Sequence, residues 1–151
     1  MSKGSEASMT DTLDSSSIGY DPTAEMAVLF YRNSDNSGYP TARKISISGT
    51  TPTLETAVVI ESQQSSGTAV ANDASSGTLF FAWGNDATSK GYCAAAPAGG
   101  STVTGLGSIV EFYGGVPDRI TAYTHTPANK VGTRSLSCLQ AHGRVPTPLL
   151  R

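Results

Sequence analysis

The residue types best suited to recognising a ligand occur twice in this chain. Tyr31 is followed by Asn33 and Asp35, and Trp83 is followed by Asn85 and Asp86. An aromatic ring beside amide and carboxylate groups suits a sugar, because the ring offers an apolar face for stacking and its neighbours offer hydrogen bonds to hydroxyls. These six residues are the candidate ligand-binding set. The same pattern has a purely structural reading. An aromatic residue ending a strand packs between layers, and Asn, Asp and Gly form turns for conformational reasons.

The catalytic readings fail on spacing or number. Asp21, Glu61, Asp73, Glu111 and Asp118 supply carboxylates, and a pair of them brought together would suit glycoside hydrolysis. Asp21 and Asp73 stand before Pro22 and Ala74, where Asp typically bonds its own backbone and caps a turn. His125 and His142 lack a neighbouring carboxylate or a second ligand at metal spacing. Cys93 and Cys138 form no C-x-x-C pair and read as free, buried thiols, with a disulfide as the alternative in an oxidising setting. The segment from Asn72 to Phe80 invites comparison with the sialidase Asp-box, but three residues separate Asp73 from Gly77 where the box has one. Neither a G-x-S-x-G elbow nor a P-loop occurs, and Gly105-Leu106-Gly107 lacks the third glycine of a dinucleotide fingerprint. No catalytic residue, metal site or cofactor is assigned, and the chain is expected not to be an enzyme.

Charge and hydropathy exclude further classes. The formal net charge is -2, with ten Lys and Arg scattered through the chain, so no basic stripe exists to displace counterions from nucleic acid. No apolar run reaches the roughly 20 residues needed to cross a bilayer, and residues 1–17 lack the basic and apolar regions of a secretory signal.

The elements that must carry these residues are short strands. Sixteen Gly, eight Pro and 15% charged residues in 151 suit many strands joined by tight turns better than long surface helices. Placing Asp21 on Asp73 also lays Leu29 on Phe81, Tyr31 on Trp83 and Asn33 on Asn85, an ungapped shift of 52 (73 minus 21). One inserted residue then puts Gly38-Tyr39 over Gly91-Tyr92, and Val58-Val59 falls near Ile109-Val110. In a third, fainter copy, Ile120 to Tyr123 takes the place of Val28 to Tyr31, and Gly132-Thr133 that of Gly38. Four strands in about 50 residues is the arithmetic of a β-propeller blade. The expected fold is therefore all-β, with about three four-stranded, propeller-blade-like repeats. A β-sandwich of consecutive meanders is the alternative.

The expected organisation is a flexible leader over 1–17, a repeat domain over 18–140 and an irregular tail over 141–151. The copies span about 18–61, 68–112 and 113–140. Val28, Phe30, Leu79, Phe81, Ile109 and Ile120 are the expected buried strand residues. Closed propellers typically hold four to eight blades, so three imply an oligomer or a place in a longer chain.

Within the first copy, Tyr20-Asp21-Pro22, the strand through Ala27–Tyr31, the turn from Asn33 to Gly38, Ser48-Gly49-Thr50 and Val58-Val59 resemble the repeats of bacteriophage tail-fibre proteins. The likeness is good over 18–61, partial over 68–112 and poor beyond. It implies a non-enzymatic structural or adhesion module of a virion appendage, made in the host cytoplasm. The implied partners are a host surface glycan or other fibre domains. The alternative function is part of a propeller-type carbohydrate-active enzyme.

Overall fold

A computed structural model describes residues 4–115, 117–125 and 136–143. The protein is all-β, with eleven strands and a single 3-10 turn at Ser34–Asn36 among these residues. Every strand pairing is antiparallel. The first sheet runs in the order β1 (Leu13–Asp21), β2 (Met26–Asn33), β3 (Tyr39–Ser48), β4 (Thr51–Leu54), with β5 (Val58–Val59) also on β3. The second sheet is β6 (Ser65–Asp73), β7 (Thr78–Asn85), β8 (Lys90–Pro97), β9 (Val110–Tyr113). The third pairs β10 (Pro117–His125) with β11 (Leu136–Gly143).

The strand registers locate the correspondence between sheets. β1, β6 and β10 are each nine residues long and start at Leu13, Ser65 and Pro117, so each start lies 52 after the last. β2 and β7 are likewise displaced by 52. All three first strands carry a register shift within their first four residues, between Leu13 and Ser16, Ser66 and Thr68, and Pro117 and Arg119. A bulge there leaves one strand with residues that have no direct partner and bends it.

Four expectations are corrected by these pairings. Ile120 to Tyr123 lies in β10, which corresponds to the first strand of the earlier sheets and not to the second. Its short, mostly apolar stretch ending in an aromatic residue fits either strand, so only the pairing distinguishes them. Asn33 pairs with Tyr39 but Asn85 with Lys90, so the second turn is one residue shorter, whereas the sequence alignment required an insertion. Alignment on Gly-Tyr followed residue identity and missed Ser89, which takes the positive φ of 55° that closes the shorter turn. β1 begins at Leu13, inside the expected leader, because backbone pairing with β2 orders a Ser-rich segment that has little to bury. β11 similarly runs through Gly143, past the expected start of the tail at residue 141. Gly132-Thr133 lies outside the described residues.

Side chains alternate between faces, and directly paired residues share one. In the first sheet, Ile18, Tyr20, Leu29, Tyr31, Ile45 and Ile47 therefore lie on a front face, and Val28, Phe30, Ala42 and Lys44 on a back face. In the second sheet, Val70, Leu79, Phe81, Trp83, Ala94 and Ala96 form the front. The main core is the back of the first sheet against the front of the second. Phe30 meets Phe81 and Trp83 edge-on, with ring centroids 5.2 and 6.3 Å apart. Such aromatic pairs add about 0.5–1.5 kcal/mol each beyond area burial. Gly19 permits the close approach: a Cβ there would sit 3.2 Å from Val70 Cγ1. β10 packs on β6 and β7 over a back face of small residues, Ala69, Ala71 and Ala82, all buried.

Val28, Phe30, Leu79 and Phe81 are fully buried, as expected. Ile109 is not: it precedes β9 and is 40% exposed. The matching pair of residues to Val58-Val59 is Val110-Glu111, one position later, so Ile109 falls in the loop. Ile120 is half-buried, because the residues around it are the small side chains of β6.

Candidate functional site

The two aromatic positions ending β2 and β7 are interior. Trp83 has no exposed surface, and its Nε1 donates to Glu61 Oε2 at 2.8 Å. Asn85 Nδ2 donates to the same oxygen at 3.1 Å, while Asn85 Oδ1 accepts from the backbone N–H groups of Ala87 and Thr88. Tyr31 is equally buried and its hydroxyl donates to Asp11 Oδ2 at 2.5 Å. Burial, then the Asp11 bond, push the Tyr31 phenol above its ordinary range, against a smaller opposing pull from Arg43. Asn33 Oδ1 accepts from Asp35 N–H, and Asp35 Oδ2 accepts from Thr12 N–H. Asp35 and Asp86 are exposed.

The predicted sets are thus brought together, but around carboxylates the sequence reading did not assign to them. Asp11 and Glu61 each lie just before the first strand of their sheet and satisfy the aromatic's polar hydrogen. A ring with no exposed surface offers no stacking face, so the sugar-platform geometry expected of the two rings is replaced by inter-sheet packing at Trp83 and by the contact with Asp11 at Tyr31. Their polar neighbours form the turns.

A second polar cluster was missed at the sequence level. Lys44 and Asp21 are both fully buried and joined by a 2.6 Å ion pair. Lys44 Nζ also donates to the carbonyls of Gly99 (2.6 Å) and Gly100 (3.1 Å). Asp21 Oδ1 accepts from Thr23 and Ala24 N–H, and Oδ2 from Gly99 N–H. Burial disfavours the Asp21 charge, but the Lys44 hydrogen bond, the Gly99 and Ala24 N–H groups and the Lys44 charge outweigh it and hold the carboxyl below its usual value. The cluster fastens the first sheet to the loop after β8. Its signal in the sequence was a lysine amid the strand's alternation, which reads as solvent-facing. Asp73 holds the corresponding turn in the second sheet, accepting from Ser75 and Ser76 N–H.

Two more of the five candidate carboxylates, Glu111 and Glu61, are also engaged. Glu111 pairs with Lys90 at 2.7 Å, and Glu61 is held by Trp83 and Asn85. Among the described residues no group of three or more His, Cys, Asp or Glu is gathered for a metal. Cys93 is a free, half-buried thiol whose ionisation burial disfavours. The side chains of Asp118, His125, Cys138 and His142 lie outside what the structure describes.

An open polar feature lies where the three first strands begin. Ser15 and Ser16 of β1, Gly67 and Thr68 of β6, and Arg119, Ile120 and Thr121 of β10 line a cleft of about 230 Å³. Positions 15, 67 and 119 correspond across the sheets, as do 16, 68 and 120. The bulges widen the strands here, and Gly67, with φ of +56°, leaves open the space a side chain would fill. Hydroxyls and one guanidinium over Ile120 offer donors and acceptors for a small polar or anionic group. Another pocket, of about 280 Å³, is lined by Ser76, Gly77, Thr78, Ala95 to Pro97, Gly105 and Gly107, and carries no charged side chain.

No protein family, curated protein or solved structure matches the chain.

Proposed function

We propose that the chain is a non-enzymatic structural or adhesion module of the tail-fibre kind, built from three stacked, propeller-blade-like units and belonging to a virion appendage. The observation that carries this reading is the convergence of corresponding positions from three strands on one polar cleft. Stacked units of this sort place their first strands together, and a ligand site at such a junction is a common arrangement in repeat architectures. The carboxylates described above are spent on turns, ion pairs and ring hydrogens, which favours binding over hydrolysis. The ligand class is a surface glycan, met through Arg119 and the hydroxyls of Ser16 and Thr121. The cleft is below the roughly 300–1,000 Å³ of larger ligand sites, so one sugar ring or one acidic substituent would enter.

A glycan array combined with a reducing-sugar release assay tests this. The expected result is binding without release, weakened by Arg119→Ala through loss of about 1.5–3 kcal/mol from a charged hydrogen bond. Sugar release by the parent protein would reverse the assignment in favour of an enzyme.

A further inference from the structure

We propose that the cleft where the three first strands begin is selective for the carboxylate of an acidic sugar, with Arg119 as the residue that reads it. The inference deepens the glycan reading above and rests on it. Of the five Lys and Arg side chains among the described residues, four are paired with a carboxylate: Arg32 with Asp14, Arg43 with Asp11, Lys44 with Asp21 and Lys90 with Glu111. Arg119, exposed on β10, belongs to no such pair. Its companions in the lining are hydroxyl-bearing residues, a glycine and an isoleucine, with no carboxylate among them. Asp14, next to Ser15 on β1, already holds Arg32. The cleft therefore carries one uncompensated positive charge. The corresponding positions of the earlier strands hold Ser15 and Gly67, so neither the bulge nor the packing requires a cation there.

Shape narrows the anion further. A guanidinium presents two parallel N–H groups that match the two oxygens of a planar carboxylate. Ser16 and Thr121 are both exposed and offer hydroxyls to the sugar ring beside it, whereas the Thr68 hydroxyl is spent on the Phe30 carbonyl at 3.2 Å. A Cβ at Gly67 would meet only Ile120 Cγ1, at 3.9 Å, so the space beside Ile120 stays clear. A sulfate ester also pairs with arginine, but its tetrahedral group takes more of the roughly 230 Å³ and its ester oxygen holds the ring farther out. A phosphate monoester brings a charge approaching −2, which one guanidinium leaves half unbalanced.

An array of glucuronate, galacturonate and mannuronate oligosaccharides, each printed beside its carboxyl-reduced alcohol and the sulfate ester of the matching neutral sugar, tests this on the full chain. At least one uronate should bind about tenfold or more tighter than its reduced partner, the scale of one charged hydrogen-bonded contact. Raising the salt should erode that difference. Arg119→Gln should abolish it, and Arg119→Lys, which keeps the charge without the fork, should retain only part of it. Circular dichroism should not change in either variant, because the side chain is exposed. Equal binding of uronates and their reduced partners, or a preference for the sulfate esters, overturns the carboxylate assignment and leaves the glycan reading standing. A uronate preference that survives Arg119→Gln likewise overturns the role given to Arg119. An array with no bound spot of any kind overturns the glycan reading and this inference with it.

Discussion

The front faces of the first and second sheets occupy corresponding register positions but are buried to different extents, although Tyr31 and Trp83 are closed on both. Val70, Phe81 and Trp83 are sealed in the core, whereas Ile18 and Tyr20 face solvent with more than half their surface free and Leu29 is half-buried. The strand pattern is the same on both. Ile18 and Tyr20 stay open because no sheet among the described residues lies over them, whereas Tyr31 on the same face is closed where Asp11 meets it, and neither outcome is encoded in a single strand.

The largest test of this contrast is Trp83→Ala, expected to cost about 3–5 kcal/mol of stability by emptying the contact with Phe30. Thermal or denaturant unfolding measures it, and a loss under 1 kcal/mol would break the contrast. Lys44→Met should cost a comparable 3–5 kcal/mol at neutral pH, since it strands the buried Asp21 charge. Acid sharpens that result. Asp21 is held below its unfolded value of 3.8, so the pair's contribution is present above that value and is lost as pH falls through the lower folded one. In Lys44→Met the deficit should instead shrink on acidification, because a protonated Asp21 no longer carries an unpaired charge.

Smaller effects separate the two faces residue by residue. Val70→Ala should cost on the order of 1–3 kcal/mol, from about 0.8 kcal/mol per buried methylene plus the cavity. Ile18→Ala should stay within about 0.5 kcal/mol. Equal losses at the two positions would show that the first sheet is covered too. The smallest effect concerns the β1–β2 turn, where Glu25 has φ of 55° and the corresponding Gly77 has φ of 61°. Glu25→Gly should raise stability by up to about 1 kcal/mol by relieving the left-handed backbone.

Strand existence was legible because apolar runs between Gly- and Asp-containing turns have few other solutions, and the 52-residue shift could be read from identities at Asp21 and Asp73, Asn33 and Asn85. Strand membership in the third sheet was not, since Ile120 to Tyr123 carries a pattern common to first and second strands. The aromatic-amide sets were found as sequence neighbours, but their partners Asp11 and Glu61 lie 20 and 22 residues away and come near only through sheet pairing. Lys44 was invisible for a related reason. Its carboxylate is 23 residues distant and its carbonyl acceptors more than 50, so nothing local marks it as interior. The cleft at residues 15, 67 and 119 was missed because Ser, Gly and Arg share no chemistry that alignment would flag.

Trp83 is the sole tryptophan of the chain, so its fluorescence reports one site without ambiguity. Iodide and acrylamide quenching of the native protein is the most direct measurement of whether the first sheet lies over the second. The stacked arrangement predicts blue-shifted emission that neither quencher reaches until denaturant unfolds the chain. Red-shifted emission, readily quenched in the folded protein, would place the ring at the surface and contradict the packing from which the rest follows.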